Sequence, residues 1–445
     1  MPVSIQHFPQ GFLWGTATAA PQVEGGNTNN NWYAWENEPG RIANGDHSGL
    51  ACDWWGGRWQ EDLQNAADCS QNAHRFSIEW SRVQPSQDAW DESALDHYRE
   101  MLTGMRQMGL APIVTLHHFS DPLWIYDMGG WENDKTPAFF EKFVRKVVNA
   151  FKDQVTIWVT LNEPNGLVVN SYIDGSFPPG KKDFRAAFCA LRNLIRGHAL
   201  AYHAIHDIQA DAQAAYALYY RGFLPKREWF GPDKWVTKML SGNINDLFSR
   251  AIHNGQVKMI LFKDWVKEAV GTQDYVALQY YSTDLVTFSP LKIQELFSRR
   301  EYPADAALSS TGFIANVPAG MYQGLQWARQ FNLPIIITEN GVEDPDDILR
   351  PTYLVEHLHQ VWLAIQQGMD IRGYFHWSQV DNFEWERGWS QRFGLWGLDE
   401  KTQQRIRRSS VDLYAEICRQ NAIHSDVVKR YAPDAYANVF SELVM

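Results

Sequence analysis

The sequence of 445 residues contains few cysteines and no apolar run of the roughly 18 residues that a membrane-spanning helix needs. Its opening stretch, MPVSIQHFPQGFLWG, lacks the basic and apolar regions of a secretory signal, so we expect a cytoplasmic protein. No cysteine belongs to a C-x-x-C pair, and we expect free thiols in the protein interior at Cys52, Cys69, Cys189 and Cys418.

Positive charge is also scarce. The 40 lysines and arginines against 52 aspartates and glutamates give a formal net charge of −12. Such a surface disfavours binding to nucleic-acid phosphates and to anionic membranes. No glycine-rich phosphate loop follows any predicted strand, so we expect no nucleotide cofactor. Histidine pairs such as His203 and His206 lack acidic or cysteine neighbours at ligand spacing, and we predict no metal site.

Tryptophan, in contrast, is abundant, with 20 residues, and aromatic residues make up 14% of the chain. Indole faces can stack on the C–H faces of sugars, but aromatic residues also fill protein cores. Composition alone favours core packing.

Short apolar runs alternate with amphipathic segments along the whole chain, as in parallel α/β proteins. The predicted strands are Phe12–Thr16, Ala73–Ile78, Pro112–Leu116, Thr156–Leu161, Ala214–Tyr219, Tyr275–Tyr280, Pro334–Thr338 and Gly373–Trp377. The predicted helices are 58–69, 92–108, 137–152, 184–209, 256–269, 318–331, 352–367 and 408–420.

Eight strands alternating with eight helices predict a (β/α)8 TIM barrel. We see no linker, so residues 1–445 are expected to form a single catalytic domain. The longest gaps between elements are expected to decorate the catalytic face as long βα loops; they are 17–57, 222–255, 282–317 and 378–407.

Two glutamates follow strands of the predicted barrel, where active sites of this fold lie. Glu163 follows the fourth strand in TLNEP, and Glu339 follows the seventh in ITENG. Glycoside hydrolysis needs one carboxyl group to protonate the leaving oxygen and another to meet the charge at the anomeric carbon. Either glutamate alone is better explained as a helix cap or an arginine partner, but their joint placement favours a glycosidase.

Other predicted strand ends carry hydrogen-bonding and aromatic side chains. Such a mixture suits a polyol with one apolar face. The residues are Gln22, Glu24, Arg75, His117, His118, Phe119, Asn162, Gln279, Tyr280, Tyr281, Trp377, Glu384 and Trp385.

Together these segments resemble glycoside hydrolase family 1, the β-glucosidase/β-galactosidase family. The matching segments follow the family order over residues 8–420: FLWGTATAAPQVEGG, HRFSIEWSR, TLHH, TLNEP, ITENG and YFHWSQVDNFEWERGWSQRFGL. The resemblance implies a (β/α)8 barrel and a retaining β-glycosidase acting on small β-glycosides or oligosaccharides. The expected activity is that of a β-glucosidase, with β-galactosidase and β-fucosidase side activities and possible transglycosylation.

The resemblance also implies roles for individual residues. Glu163 resembles the acid/base and Glu339 the nucleophile, which we expect Arg75 and Tyr281 to hold and whose pKa we expect them to lower. Apolar walls and the second carboxylate should raise the pKa of Glu163. Trp377 resembles the platform beneath the sugar. The residues that resemble ligands of its hydroxyl groups are Gln22, His118, Asn162, Glu384 and Trp385, and Tyr281 also belongs to the expected substrate site.

Two positions depart from the family pattern: Phe119 stands where tryptophan is usual, and Gln279 where asparagine is usual.

Rival functions fit the sequence less well than a β-glycosidase does. A 6-phospho-β-glycosidase would need a cation where Glu384 stands, and a thioglucosidase would lack Glu163. A sugar-binding relative without activity would have lost a catalytic glutamate. The sequence leaves open the preferred sugar, the aglycone, and whether the protein is a monomer or a homo-oligomer.

Overall fold

The computed structural model describes residues 4–292 and 295–440, and its centre is a closed ring of eight parallel strands. Each strand pairs with the next along the chain, and the eighth pairs with the first. The strands are β1 (Leu13–Ala17), β2 (Ala73–Ser77), β3 (Ala111–Thr115), β4 (Ile157–Asn162), β5 (Gln213–Pro225), β6 (Val276–Phe288), β7 (Ile335–Asn340) and β8 (Ile371–Trp377).

The ring strands are buried on both faces, which explains their continuous apolar runs. Every residue of β2 and of β7 is buried. The structure confirms all eight predicted strands, but β5 and β6 are longer than predicted. They continue beyond the ring as a paired extension, to which Ser298–Glu301 adds an antiparallel strand. Polar residues such as Arg221 and Asp284 interrupt the apolar pattern there.

Helices pack around the outside of the ring and connect its strands. The longest, α4, begins after Asp183, whose carboxylate accepts from the backbone N–H groups of Arg185 and Ala186. The helices are α1 (Trp59–Asp68), α2 (Glu92–Gln107), α3 (Thr136–Phe151), α4 (Phe184–Ile208), α5 (Gly231–Ile244), α6 (Asp246–Asn254), α7 (Pro318–Arg329), α8 (Arg350–Gln366) and α9 (Ser409–Gln420).

The helix predicted at 256–269 is wrong. This segment holds a hairpin of Gln256–Met259 and Phe262–Trp265, followed by one short helical turn. The preceding helix α6 ends at Gly255, whose φ of +79° suits glycine at a helix C-terminus. Val257 and Met259 are buried on one face of the hairpin, so the apolar period there is two residues.

Shorter elements lie in the connections. The short helices include Ala20–Val23, Asn31–Glu36, Trp80–Val83, Leu123–Asp127, Pro164–Val169, Ser425–Tyr431 and Tyr436–Phe440. Ile5–His7 pairs with Ala422–His424, and Trp396–Leu398 with Arg405–Arg407. All four cysteines are free. Across the described ranges, no helix combines the length and apolarity that crossing a membrane requires.

Candidate active site

A cavity of about 460 Å³ opens at the carboxyl ends of the ring strands. All the predicted site residues line it except Gln22 and Arg75, which lie behind its wall. Three of the four long connections contribute to the lining, as predicted for loops on the catalytic face: 222–255, 282–317 and 378–407. The connection 17–57 supports the wall through Trp32, which packs against Trp385.

Glu339 lies at the end of β7, and three side chains donate hydrogen bonds to its carboxylate. Arg75 Nη1 lies 2.5 Å and Gln279 Nε2 2.8 Å from Oε1. The hydroxyl of Tyr281 donates to Oε2 at 2.7 Å. Glu339 is only 3% exposed, so these donors replace the water that would otherwise solvate the charge.

Glu163 immediately follows β4 and adopts a left-handed backbone conformation, with φ of +40°. This turn places it between the strand and the helix Pro164–Val169. Within the described residues, no side chain or backbone group donates a hydrogen bond to its carboxyl group. Burial raises the pKa of Glu163 well above its usual range, and the charges of Glu339 and Glu384 raise it further, while Arg75 opposes them.

The direction of the pKa shift expected for Glu339 is wrong. Arg75 and the Tyr281 hydroxyl do lower its pKa, but burial outweighs them and the net shift is upward. The pKa of Glu163 is raised further, because Glu163 lacks those donors and faces the charge of Glu339. Of the two carboxyl groups, Glu163 therefore holds its proton to higher pH.

Asn162 and His118 lie beside the carboxyl groups and are hydrogen-bonded to each other. Asn162 Nδ2 donates to His118 Nε2 at 2.9 Å, while Asn162 Oδ1 accepts from Arg75 Nη2 at 2.6 Å. Burial and the positive charge of Arg75 hold the pKa of His118 well below its usual range, so the ring is neutral. With Nε2 accepting, its proton lies on Nδ1, which has no partner among the described residues.

Aromatic rings and a further carboxyl group also line the cavity. The His118 ring stacks near Trp377 and Trp385, with centroids 6.0 and 5.9 Å away. Gln22 Nε2 donates to Glu384 Oε2 at 3.1 Å, which connects Gln22 to the site from behind. Burial, the main cause, raises the pKa of Glu384 to about 8.

Phe119 fills the position where the family usually has tryptophan. Its ring contacts Trp385 and Phe177, with centroids 5.2 and 5.5 Å away. It supplies apolar surface to the cavity but no N–H donor.

Three residues at predicted strand ends face other parts of the protein. Glu24 binds Arg82 and Tyr98, His117 binds Asp121, and the Tyr280 hydroxyl donates to the carbonyl oxygen of Val317. Tyr281, the residue after Tyr280 on β6, does lie in the site, because side chains alternate in direction along a strand.

Sequence reasoning gave no role to several other residues of the site. Gln279 was placed at the end of the sixth predicted strand and noted as a departure from the family pattern, but its two hydrogen bonds, to Asn162 and Glu339, were not predicted. Arg221 binds Asp284 and the Tyr219 hydroxyl in the extension of β5 and β6. The outer cavity is lined by Asp174, Tyr219, Arg221, Arg300, Tyr302, Phe313, Glu386, Arg387 and Gln391. Glu386, Arg387 and Gln391 lie in the last of the family segments but had no assigned role. The other six belong to no motif, and only the packing of the loops reveals their position.

The pattern of glycosyl hydrolase family 1 matches residues 4–423. The chain belongs to this family. Family 1 enzymes are retaining β-glycosidases, so the chain is a glycoside hydrolase with that reaction. β-Glucosidase A of Thermotoga maritima is 33% identical over 95% of this chain and 100% of its own length.

Solved family 1 structures have the same fold. A β-glycosidase from Pyrococcus horikoshii matches with a TM-score of 0.89 at 31% identity, covering 96% of this chain and 98% of its own. The β-glucosidase from Thermotoga maritima, solved in complex with glucoimidazole, matches with a TM-score of 0.87 at 31% identity, covering 94% and 100%. The same enzyme has been solved with galacto-hydroximolactam.

Proposed function

We propose that the protein is a β-glucosidase in which Glu339 is the nucleophile and Glu163 the acid/base. The observation that carries this assignment is the contrast between the two carboxyl groups. Three donors bind Glu339, whereas Glu163 receives no hydrogen bond from the part of the chain that the structure describes. A bound, ionised carboxylate suits attack on carbon, and a buried carboxyl that keeps its proton suits donation to oxygen.

In the first step, a carboxylate oxygen of Glu339 attacks the anomeric carbon of the β-glycoside. The bond to the leaving oxygen breaks, and Glu163 delivers its proton to that oxygen. The product is the free aglycone and an α-linked glycosyl ester on Glu339. The ester is neutral, so the repulsion that raised the pKa of Glu163 falls.

In the second step, the Glu163 carboxylate takes a proton from a water molecule as its oxygen attacks the anomeric carbon. The ester bond breaks, Glu339 regains its charge, and the sugar leaves with the β configuration. A sugar alcohol that replaces water would give transglycosylation.

The rest of the inner cavity supports a neutral hexose as the glycone. Trp377 offers an apolar platform, while Asn162, His118 and Glu384 offer hydrogen-bonding groups. Glu384 can bond hydroxyls at C4 and C6 in either configuration at C4. The Thermotoga maritima enzyme has been solved with both gluco and galacto compounds, which supports β-galactosidase and β-fucosidase side activities here.

We further propose that residues 1–445 form one (β/α)8 barrel domain, which acts on small β-glycosides or oligosaccharides in the cytoplasm. The closed strand ring and the agreement with whole chains of solved relatives support the single domain.

The activity is tested with p-nitrophenyl β-glycosides that differ at C4 and C6. We expect the highest kcat/KM for the β-glucoside, lower values for the galactoside and fucoside, and none for α-glucosides. A Glu339→Ala variant should be inactive and should regain activity with azide, giving an α-glycosyl azide. Release of p-nitrophenol by the wild-type enzyme no faster than by that variant would refute the activity. A β-glycosyl azide as the product would refute the role of Glu339.

A further inference from the structure

The side chain of Gln279 lies between two residues of the proposed site. Gln279 is fully buried on β6, and its backbone pairs with Glu339 on β7. Its Nε2 atom donates to Asn162 Oδ1 at 2.7 Å and to Glu339 Oε1 at 2.8 Å. Both hydrogens of the amide group are thereby used.

Arg75 reaches the same two oxygen atoms from β2. Its Nη1 donates to Glu339 Oε1 at 2.5 Å and its Nη2 to Asn162 Oδ1 at 2.6 Å. Each of the two oxygens therefore accepts from the same two side chains. The carboxylate oxygen of Glu339 and the amide oxygen of Asn162, which carries a partial negative charge, repel each other. The bridging donors hold the two oxygens together. The position of the carboxylate is thus linked to that of the amide.

The network also sets the orientation of the Gln279 amide. Reversing the amide would turn its carbonyl oxygen toward two acceptors and would remove both hydrogen bonds. In the observed orientation, Gln279 Oε1 is buried without a partner among residues 4–292 and 295–440. An unpaired buried carbonyl is unfavourable, so the two donated bonds are what fix this side chain.

We propose that Gln279 is a positioning residue that, with Arg75, holds Glu339 and Asn162 in one arrangement. The family resemblance implies that Asn162 contacts the 2-hydroxyl of the sugar, so attack at the anomeric carbon and that contact are then coupled. This inference rests on the proposed function. Family 1 usually has asparagine at this position, and asparagine is one methylene group shorter. From the same backbone position, we expect the shorter amide to lose at least one of the two hydrogen bonds.

The coupling has a consequence for Asn162. With Oδ1 held by Gln279 and Arg75, the Nδ2 group is fixed on the side of His118. Loss of the Gln279 donor would leave Arg75 to hold Asn162 Oδ1 without its second donor, and the Asn162 amide would be held less firmly. It would also leave the Glu339 carboxylate with fewer donors, which raises the pKa of a buried carboxyl group.

The test compares wild-type enzyme with Gln279→Leu and Gln279→Asn. We would measure kcat/KM against pH for an aryl β-glucoside and for its 2-deoxy analogue. In both variants, the acid limb of the plot of kcat/KM against pH should lie at higher pH than in the wild-type enzyme, because the nucleophile must be ionised to react. The preference for the 2-hydroxyl should fall by about tenfold, the loss expected when one hydrogen bond at the upper end of the usual strength is lost.

A matched control is Gln6→Leu. Gln6 is also fully buried, but it binds the Val439 carbonyl away from the cavity and should change neither readout. If Gln279→Leu does not fold, Gln279→Asn retains a polar amide and carries the same expectation. An active enzyme whose variants keep both the acid limb and the 2-hydroxyl preference would overturn this inference alone. A wild-type enzyme inactive on aryl β-glucosides would instead refute the proposed function.

Discussion

Arg75 and Glu339 form an ion pair inside the strand ring, with Arg75 Nη1 2.5 Å from Glu339 Oε1 and both side chains almost fully buried. Two charges at this depth are both desolvated, so each depends on the other. The pair joins β2 to β7 across the ring. It therefore contributes to folding as well as to the proposed chemistry.

Removal of one partner should be strongly destabilising. We expect Arg75→Met to lower the free energy of unfolding by about 3–5 kcal/mol, because the Glu339 charge remains buried without its partner. Urea denaturation at neutral pH measures this loss. In the double variant Arg75→Met/Glu339→Gln the unpaired charge is absent, and we expect less destabilisation than in Arg75→Met alone. Equal or greater destabilisation of the double variant would argue against the ion pair.

Glu163→Ala should separate substrates by their leaving groups. General acid catalysis contributes about 10²–10⁴-fold, so kcat/KM for a β-glucoside with a poor alkyl leaving group should fall by that factor. A dinitrophenyl leaving group needs no proton, and kcat/KM for that substrate should change far less. Steady-state kinetics on the two substrates gives the comparison within one variant. Equal losses on both would remove Glu163 from the acid/base role.

Glu24 should make stability depend on pH. Burial raises its pKa to about 7 in the folded protein, against the opposing charge of Arg82, from an unfolded value of 4.5. The folded state thus holds this proton more tightly, and its stabilising effect is lost as pH rises from 4.5 through about 7. At about 1.36 kcal/mol per pKa unit, the difference amounts to about 3 kcal/mol.

We therefore expect Glu24→Gln to reduce the fall in unfolding free energy between pH 5 and pH 8, measured by urea denaturation at a series of pH values. Glu61→Gln serves as control, because Glu61 is exposed and pairs with Arg58 at the surface. A variant with the same pH dependence as wild-type protein would show that Glu24 does not hold a proton in this range.

The motifs predicted which side chains meet at one cavity, because a residue at the end of a ring strand has little freedom in where it points. Glu163, Glu339, His118 and Trp377 were placed from their position after a strand, and the structure brings them to one cavity. Gln279 could not be assigned in this way, because its bridge depends on the distance between side chains of three different strands.

Two other predictions were wrong, for different physical reasons. The segment 256–269 was predicted as a helix from its apolar residues, although Gly255 ends the helix before it. The pKa of Glu339 was expected to fall because Arg75 and Tyr281 are visible in the sequence, whereas the extent of burial is not. The first error overlooked local signals, since Gly255 and the apolar period of two residues are both present in the sequence. The second depends on burial, which only the tertiary packing sets.

The central claim is that Glu339 becomes covalently bound to the sugar. It is tested most directly by incubating the enzyme with 2,4-dinitrophenyl 2-deoxy-2-fluoro-β-glucoside, whose fluorine slows the release of the glycosyl intermediate. Peptide mass mapping should then find one fluoroglucosyl group on the peptide with Glu339, and the Glu339→Ala variant should carry none. A label on Glu163, or burst release of dinitrophenol without any labelled peptide, would contradict the account.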